Sequence, residues 1–312
     1  MNSYIYTVIS AYTGSPPKDN GIFVWLGFSY FGFRVIHTIR DRQNGQLPPV
    51  TFTEYMTYTI FFPSFAAGPI DRVQRFISDL NQIKPWSNLD WTDAGSRFAI
   101  GLFKKFVIAD ALANFALNSE RALHIDSSGW FWTLLYAYAF QIYFDFSGYT
   151  DIAIGLAKIM GINLPENFNS PYLKPNLTLF WNSWHMTLTQ WFRAYFFNPL
   201  QRWIRSSTQL SAWSLILILQ LATMILIGLW HGVTLNFVLW GLWHGAGLFI
   251  HNRWRELTGS KFSAWAISPF RKNLLTGSGI FLTFHYVALG WVFFVMPANQ
   301  IPTAIKMLFG FN

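Results

Sequence analysis

Cysteine is absent from the 312-residue chain. Disulfides, thiolate nucleophiles and cysteine-based metal sites are therefore excluded. Charge is also scarce, at 12% of residues, where a soluble domain carries roughly a quarter. From Ser206 to Asn252, and again from Asn273 to Ile305, there is no Asp, Glu, Lys or Arg at all. No two histidines have the four-residue spacing of H-E-x-x-H, which argues against zinc. No G-x-S-x-G, P-loop or G-x-G-x-x-G occurs, so serine hydrolysis and nucleotide binding have no support. The N-terminus, "MNSYIYTVISAYTGSPPKDN", lacks the basic region and apolar core of a signal peptide.

What the chain does have is apolar and aromatic surface. Hydrophobic residues make up 52% and aromatics 20%. A bilayer core is spanned by roughly 20 apolar residues, so the run from Ser206 to Asn252 is long enough to pass twice. The composition predicts an all-α, polytopic transmembrane bundle. The 22 basic residues against 14 acidic would suggest nucleic acid in a soluble protein. Here they read as cytoplasmic loop charge, and no nucleic-acid partner is expected.

Along the chain, "GIFVWLGFSYFGFRVIHTI" is the first apolar segment. "YMTYTIFFPSFAAGPI" follows, with Pro63 and Gly68-Pro69 expected to end its helix. "DRVQRFISDLNQI" places Val73, Phe76, Ile77 and Leu80 at helical spacing and is too polar to span. In "RFAIGLFKKFVIADALANFAL", Lys104 and Lys105 are expected at one membrane surface. "WFWTLLYAYAFQIYFDF" reads as a span ending at Asp145, with a separate short helix after it. Asp145 and Asp151 are either part of a polar pathway or, the favoured reading, a surface cap built on Ser147 and Asp151.

The stretch from Leu177 to Arg205 predicts one amphipathic helix. Trp181, Trp184, Leu188, Trp191, Phe192 and Tyr195 form its apolar stripe, Asn182, Thr189, Gln190 and Arg193 its polar face, and His185 the border. The regions near 209–251 and 277–296 predict roughly three more spans. Basic flanks on both sides of the first make it a hairpin turning near His231-Gly232.

That hairpin contains Leu-Trp-His-Gly twice, around His231 and His244. A polar group in such a segment is either functional or a structural bond to a neighbouring helix. Gly228 and Gly232 allow a helix break at His231, which is tolerated only where it is buried in protein or lines a cavity. An imidazole there is a candidate general base. On a continuous helix the thirteen residues to His244 would put it on nearly the opposite face, so the two do not line one small site unless the chain folds back. His37, His124, His251 and His285 are assigned no role.

Taken together, "FFPSFAAGPIDRVQRF", "YFDFSGYTDIAIGLAKIMGINLPENFNSPY", "FWNSWHMTLTQWFRAYFFNPL", "GLWHGVTLNFVLWGLWHG" and "GWVFF" resemble the membrane-bound O-acyltransferase family. The nearest branch is the bacterial one of alginate O-acetylation and teichoic-acid D-alanylation membrane proteins. The resemblance implies a central tunnel with short interfacial and re-entrant helices around it. It implies transfer of an acyl group, acetyl in the first instance, from a thioester (acetyl-CoA or acyl carrier protein) to a hydroxyl of an extracytoplasmic polysaccharide or cell-envelope glycan. No bound cofactor or metal is expected. The protein would be a multi-pass protein of the cell membrane, working with the lipid bilayer, the glycan and a periplasmic or extracellular acetyltransferase.

The family's motif histidine falls on His231, as general base, and its second histidine on His185, which with Asn182 would steady the oxyanion. Asn182, Trp184, Arg193 and Trp230 are the expected substrate contacts, and His244 a packing residue. The family acid after Arg193 is replaced here by Ala194. Family members also carry helices before Gly21, so residues 1–312 read as one acyltransferase domain without them. The alternatives are D-alanyl or lipid acyl transfer, and a catalytically silent membrane scaffold.

Overall fold

The structure, a computed structural model, describes residues 28–310 except 84, 86, 88, 266 and 267. The N-terminal reading, and the start of the first apolar segment, lie outside the described residues. All regular structure among the described residues is helical.

Helix α1 is Phe28–Gln43, α2 Phe52–Thr59 and α3 Val73–Leu80. Thr51 and Glu54 close a capping box at the start of α2, and the Thr51 backbone N–H holds the Glu54 carboxyl below its ordinary range. Pro63 stops α2 from continuing and opens a tight turn at Phe62–Ser64, as its spacing predicts. Arg34, buried, donates from α1 to the carbonyls of Tyr58, Thr59 and Ser64, satisfying the carbonyls that this break frees. Val73, Phe76 and Ile77 form the buried face of α3.

Helix α4, Trp91–Leu102, runs on through a wide π-type segment, Phe103–Ala109. It packs against α5, Ser128–Ile159, a single helix of 32 residues. Here the structure corrects the sequence reading. No break follows Asp145, and Ser147 and Asp151 cap nothing, because both lie inside the helix. The acids are neutralised from the side. Lys105 pairs with Asp145, while Arg97 and Lys104 each reach Asp151 at 2.6 Å. With opposite charge supplied by α4 and the π-type segment after it, neither acid forces the helix to end. Gly101 and Gly148 permit this closeness: a methyl on Gly101 would lie 2.7 Å from the Gly148 carbonyl oxygen.

The expected long helix from Leu177 is also interrupted. It comprises α6, Leu177–Trp181, and α7, Met186–Phe192, with a π-type segment at Arg193–Phe197 leading into α8, Asn198–Ser207. Then α9, Ala212–His231, and α10, Leu235–Trp265, form the predicted hairpin, turning at residues 232–234. A methyl on Gly241 would lie 2.6 Å from the Met224 carbonyl oxygen, so glycine sets the hairpin's spacing, as small residues do between membrane helices. Finally come α11, Pro269–Val295, and α12, Ile301–Phe309. Among the described residues, α9 and α11 are long and apolar enough to cross a membrane. Helix α10 is longer than either, but its C-terminal half carries Arg253, Arg255 and Glu256. The main core joins α1, α5, α6, α7, α9, α10, α11 and α12 around Trp181, Trp184, Trp240 and Trp291.

Candidate active site

The break between α6 and α7 centres on His185. Its backbone is left-handed, with φ of 43°, a sparsely populated region for a residue with a Cβ. The loop after α5 holds it there. The Asn169 N–H donates to the Ser183 carbonyl, and the Met186 N–H donates to the Asn167 carbonyl. Strain of this kind persists only where surrounding bonds over-determine it, and it gathers at functional sites.

Asn167, fully buried, also fixes the imidazole. Its Oδ1 receives the Thr187 backbone N–H at 3.2 Å and the Thr187 hydroxyl at 2.9 Å. That hydroxyl is free to donate because its oxygen already accepts from the Ile70 N–H. Two donors on one atom identify it as the amide oxygen. His185 Nδ1, 3.1 Å from the same oxygen, therefore carries a proton. Neutral His185 then has its lone pair on Nε2, facing the Tyr30 hydroxyl at 3.5 Å. In this tautomer His185 presents an acceptor to the Tyr30 side. The oxyanion-donor role expected for it would need the imidazolium.

His231 ends α9. Its ring sits among Trp230, Phe294, Trp240 and Phe237, with centroids 4.6, 5.0, 5.6 and 6.0 Å away. Neither of its nitrogens has a hydrogen-bond partner among the described residues, and the residue is only partly buried. Trp230 joins the two histidines: its ring lies 6.0 Å from His185 and 6.0 Å from Tyr30.

The other expected contacts lie elsewhere. Trp184 is buried among Phe168, Trp291, Tyr172 and Phe180. It is part of the core that seats His185, not a surface for substrate. Asn182 and Arg193 meet each other, Nη2 to Oδ1 at 2.7 Å. They line a separate cavity of about 260 Å³ that neither His185 nor His231 borders, so Asn182 does not stand beside His185 as an oxyanion donor.

His244 is not remote from His231, as a continuous helix would make it. The chain folds back between them, and Trp240 touches both, 4.8 Å from His244 and 5.6 Å from His231. His244 is fully buried against Trp181 and Tyr286 as well.

Asn167 and Tyr30 were missed by sequence reasoning. Asn167 stood in a proline-punctuated loop that gave no periodic signal, and Tyr30 in a segment read as a plain span. The one available hint was an amide in "NLPENFNSPY", a stretch that carried the family resemblance.

An all-helical bundle with two histidines at helix ends, joined through Trp230, is consistent with a helical membrane protein that holds a polar site between its helices. The sequence model of the membrane-bound O-acyltransferase family matches residues 22–289. The chain is 32% identical to the teichoic acid D-alanyltransferase of Streptococcus thermophilus, over 89% of this chain and 70% of that protein. It is 33% identical to the probable alginate O-acetylase AlgI of Pseudomonas aeruginosa, over 96% of this chain and 54% of that protein. With the peptidoglycan O-acetyltransferase of Helicobacter pylori the identity is 36%, over 83% and 46%. The chain belongs to the membrane-bound O-acyltransferase family and is an acyltransferase.

Proposed function

We propose that this enzyme moves an acetyl group from a thioester, acetyl-CoA or an acylated carrier protein, to a hydroxyl of an extracytoplasmic polysaccharide or cell-envelope glycan. It does so as a multi-pass protein of the cell membrane, through a tunnel that meets at His231, with an extracytoplasmic acetyltransferase as its partner. The observation that carries this reading is the state of His231: an imidazole with unengaged nitrogens, held by four aromatic rings and joined to His185 through Trp230.

In this mechanism the His231 lone pair takes the proton of the acceptor hydroxyl as its oxygen attacks the thioester carbonyl. The tetrahedral oxyanion collapses, the carbon–sulfur bond breaks, and the thiolate recovers the proton from the imidazolium. An ester and a thiol result, and His231 returns to its neutral form. Tyr30, whose hydroxyl faces the His185 lone pair, steadies His185 beside the reacting groups. The names of two relatives, an alginate O-acetylase and a peptidoglycan O-acetyltransferase, support acetyl as the group and glycan as the acceptor. D-alanyl transfer is the second reading, favoured by the 70% of the Streptococcus thermophilus protein that this chain covers.

The test is mass spectrometry of glycan and cell-wall polymers from cells expressing wild type, His231→Ala or His244→Ala at matched levels. His231→Ala is expected to lower transfer by roughly 10²- to 10⁴-fold, while His244→Ala keeps most of it. Equal loss in both defeats the choice of His231. A mass increment of alanine instead of acetate selects the second reading.

A further inference from the structure

The cavity that takes Asn182 and Arg193 lies between α6, α7, α9 and α10. Three buried polar atoms on its wall have no hydrogen-bond partner among the described residues: Trp181 Nε1, Gln220 Oε1 and Thr223 Oγ1. Leaving such a group unsatisfied costs stability, and folded proteins keep such atoms few. Three in one cavity of about 260 Å³ are groups waiting for something that donates and accepts. At the exposed end stands Arg193, whose guanidinium is bonded to the neutral Asn182 and meets no acid among the described residues. The next residue is Ala194. The cavity thus runs from a cation at the surface to an indole N–H, a hydroxyl and an amide oxygen inside.

We propose that this cavity is a ligand site, separate from the joined histidines, for an anion that also carries amide or hydroxyl groups. Arg193 binds the negative charge, Trp181 and Thr223 donate to the ligand's carbonyl or hydroxyl oxygens, and Gln220 accepts from its N–H or O–H. The site is mechanically tied to the reaction centre. Trp181 packs 5.7 Å from Trp240 and 5.1 Å from His244, and Trp240 packs on His231. Ile227, on the cavity wall, lies one helical turn before His231. A ligand bonded to Trp181 therefore fixes the wall behind His231, and His244 is the residue that backs that wall.

Two sources supply this chemistry: the phosphate-and-amide arm of a thioester donor, and the anionic, hydroxyl-rich unit of a glycan acceptor. Only these sources rest on the acyltransferase mechanism above; the site itself does not.

The experiment is calorimetric titration of the detergent-solubilised full chain with free 4′-phosphopantetheine and, separately, with glucuronate. Wild type is compared with Arg193→Ala, the conservative Thr223→Val, Gln220→Glu and, as a control, His231→Ala. We expect at least one probe to bind wild type. Affinity should fall about tenfold or more in Arg193→Ala, and about threefold or more in Thr223→Val. Gln220→Glu should weaken binding by repelling the anion, and His231→Ala should leave it unchanged. Binding of phosphopantetheine alone assigns the site to the donor, and of glucuronate alone to the acceptor. Failure of both probes to bind wild type, or affinities indifferent to both Arg193→Ala and Thr223→Val, overturns the proposal. Probe binding that depends on Arg193 in a protein that transfers no acyl group would keep the site and remove the mechanism. Active wild type with binding indifferent to both Arg193→Ala and Thr223→Val would do the reverse.

Discussion

Between α4 and α5 three cations meet three acids: Arg97 bridges Asp151 and Glu166, Lys104 joins Asp151, and Lys105 joins Asp145. Between α6, α9 and α10 the polar groups are neutral, and Trp181, Gln220, Thr223 and both nitrogens of His244 go without partners among the described residues. Both regions bury polar atoms among apolar helices. The first spends every charge on its neighbour, which makes it a clamp. The second leaves donors and acceptors open, which is what recognition of a ligand requires and what a purely structural interface avoids. Ser147 and Thr150 in the first region also lack partners among the described residues, so unpaired atoms point to a site only where they line a cavity, as Trp181, Gln220 and Thr223 do.

The largest effect expected from disturbing this contrast lies at its border, in Asn167. Replacing it with Leu removes the acceptor shared by His185 and Thr187. Transfer should fall roughly 100-fold, the loss that a misplacement of about 1 Å produces, with the protein still inserted and monodisperse. Unchanged kcat in that variant would show that His185 does not need its tautomer fixed.

In the brace, Asp151→Ala leaves Arg97 and Lys104 facing each other without their shared acid. Breaking a buried pair this way costs about 3 kcal/mol, seen as a lower thermal midpoint in detergent, while activity per folded molecule stays at the wild-type level. A loss of specific activity without a stability change would move Asp151 from the brace into the site. The smallest effect is expected for Lys158→Ala. Its partner Asp93 is exposed, and pairs in water contribute little, so the thermal midpoint should not move measurably.

Much of the architecture was legible in residue order. The break at Pro63, the buried face of α3 and the hairpin turn next to His231 follow from proline chemistry, periodicity and the charge-free run. The misreadings share one cause. Asp145 read as the end of a span because sequence shows a charge but not the lysine facing it from another helix. Leu177 to Arg205 read as one helix because its stripe of apolar residues is continuous, and the left-handed turn at His185 is imposed by a loop nearly twenty residues earlier. Trp184 and Asn182, neighbours of His185 in the chain, point into the core and into a second cavity, because the turn at His185 redirects each residue around it.

Composition and apolar run length were enough for an all-helical membrane protein, and the motifs' resemblance to the membrane-bound O-acyltransferases was enough for an acyltransferase with His231 and His185 as its candidates, since all of these are properties of residue order. Which polar groups meet was settled by the packing of the helices. It joined the two histidines through Trp230, brought His244 to the same tryptophan as His231, gave Asn167 charge of the His185 tautomer, and separated Arg193 and Asn182 into a cavity of their own. Pairing is a matter of distances across helices, set by glycine contacts and broken turns that no local pattern records.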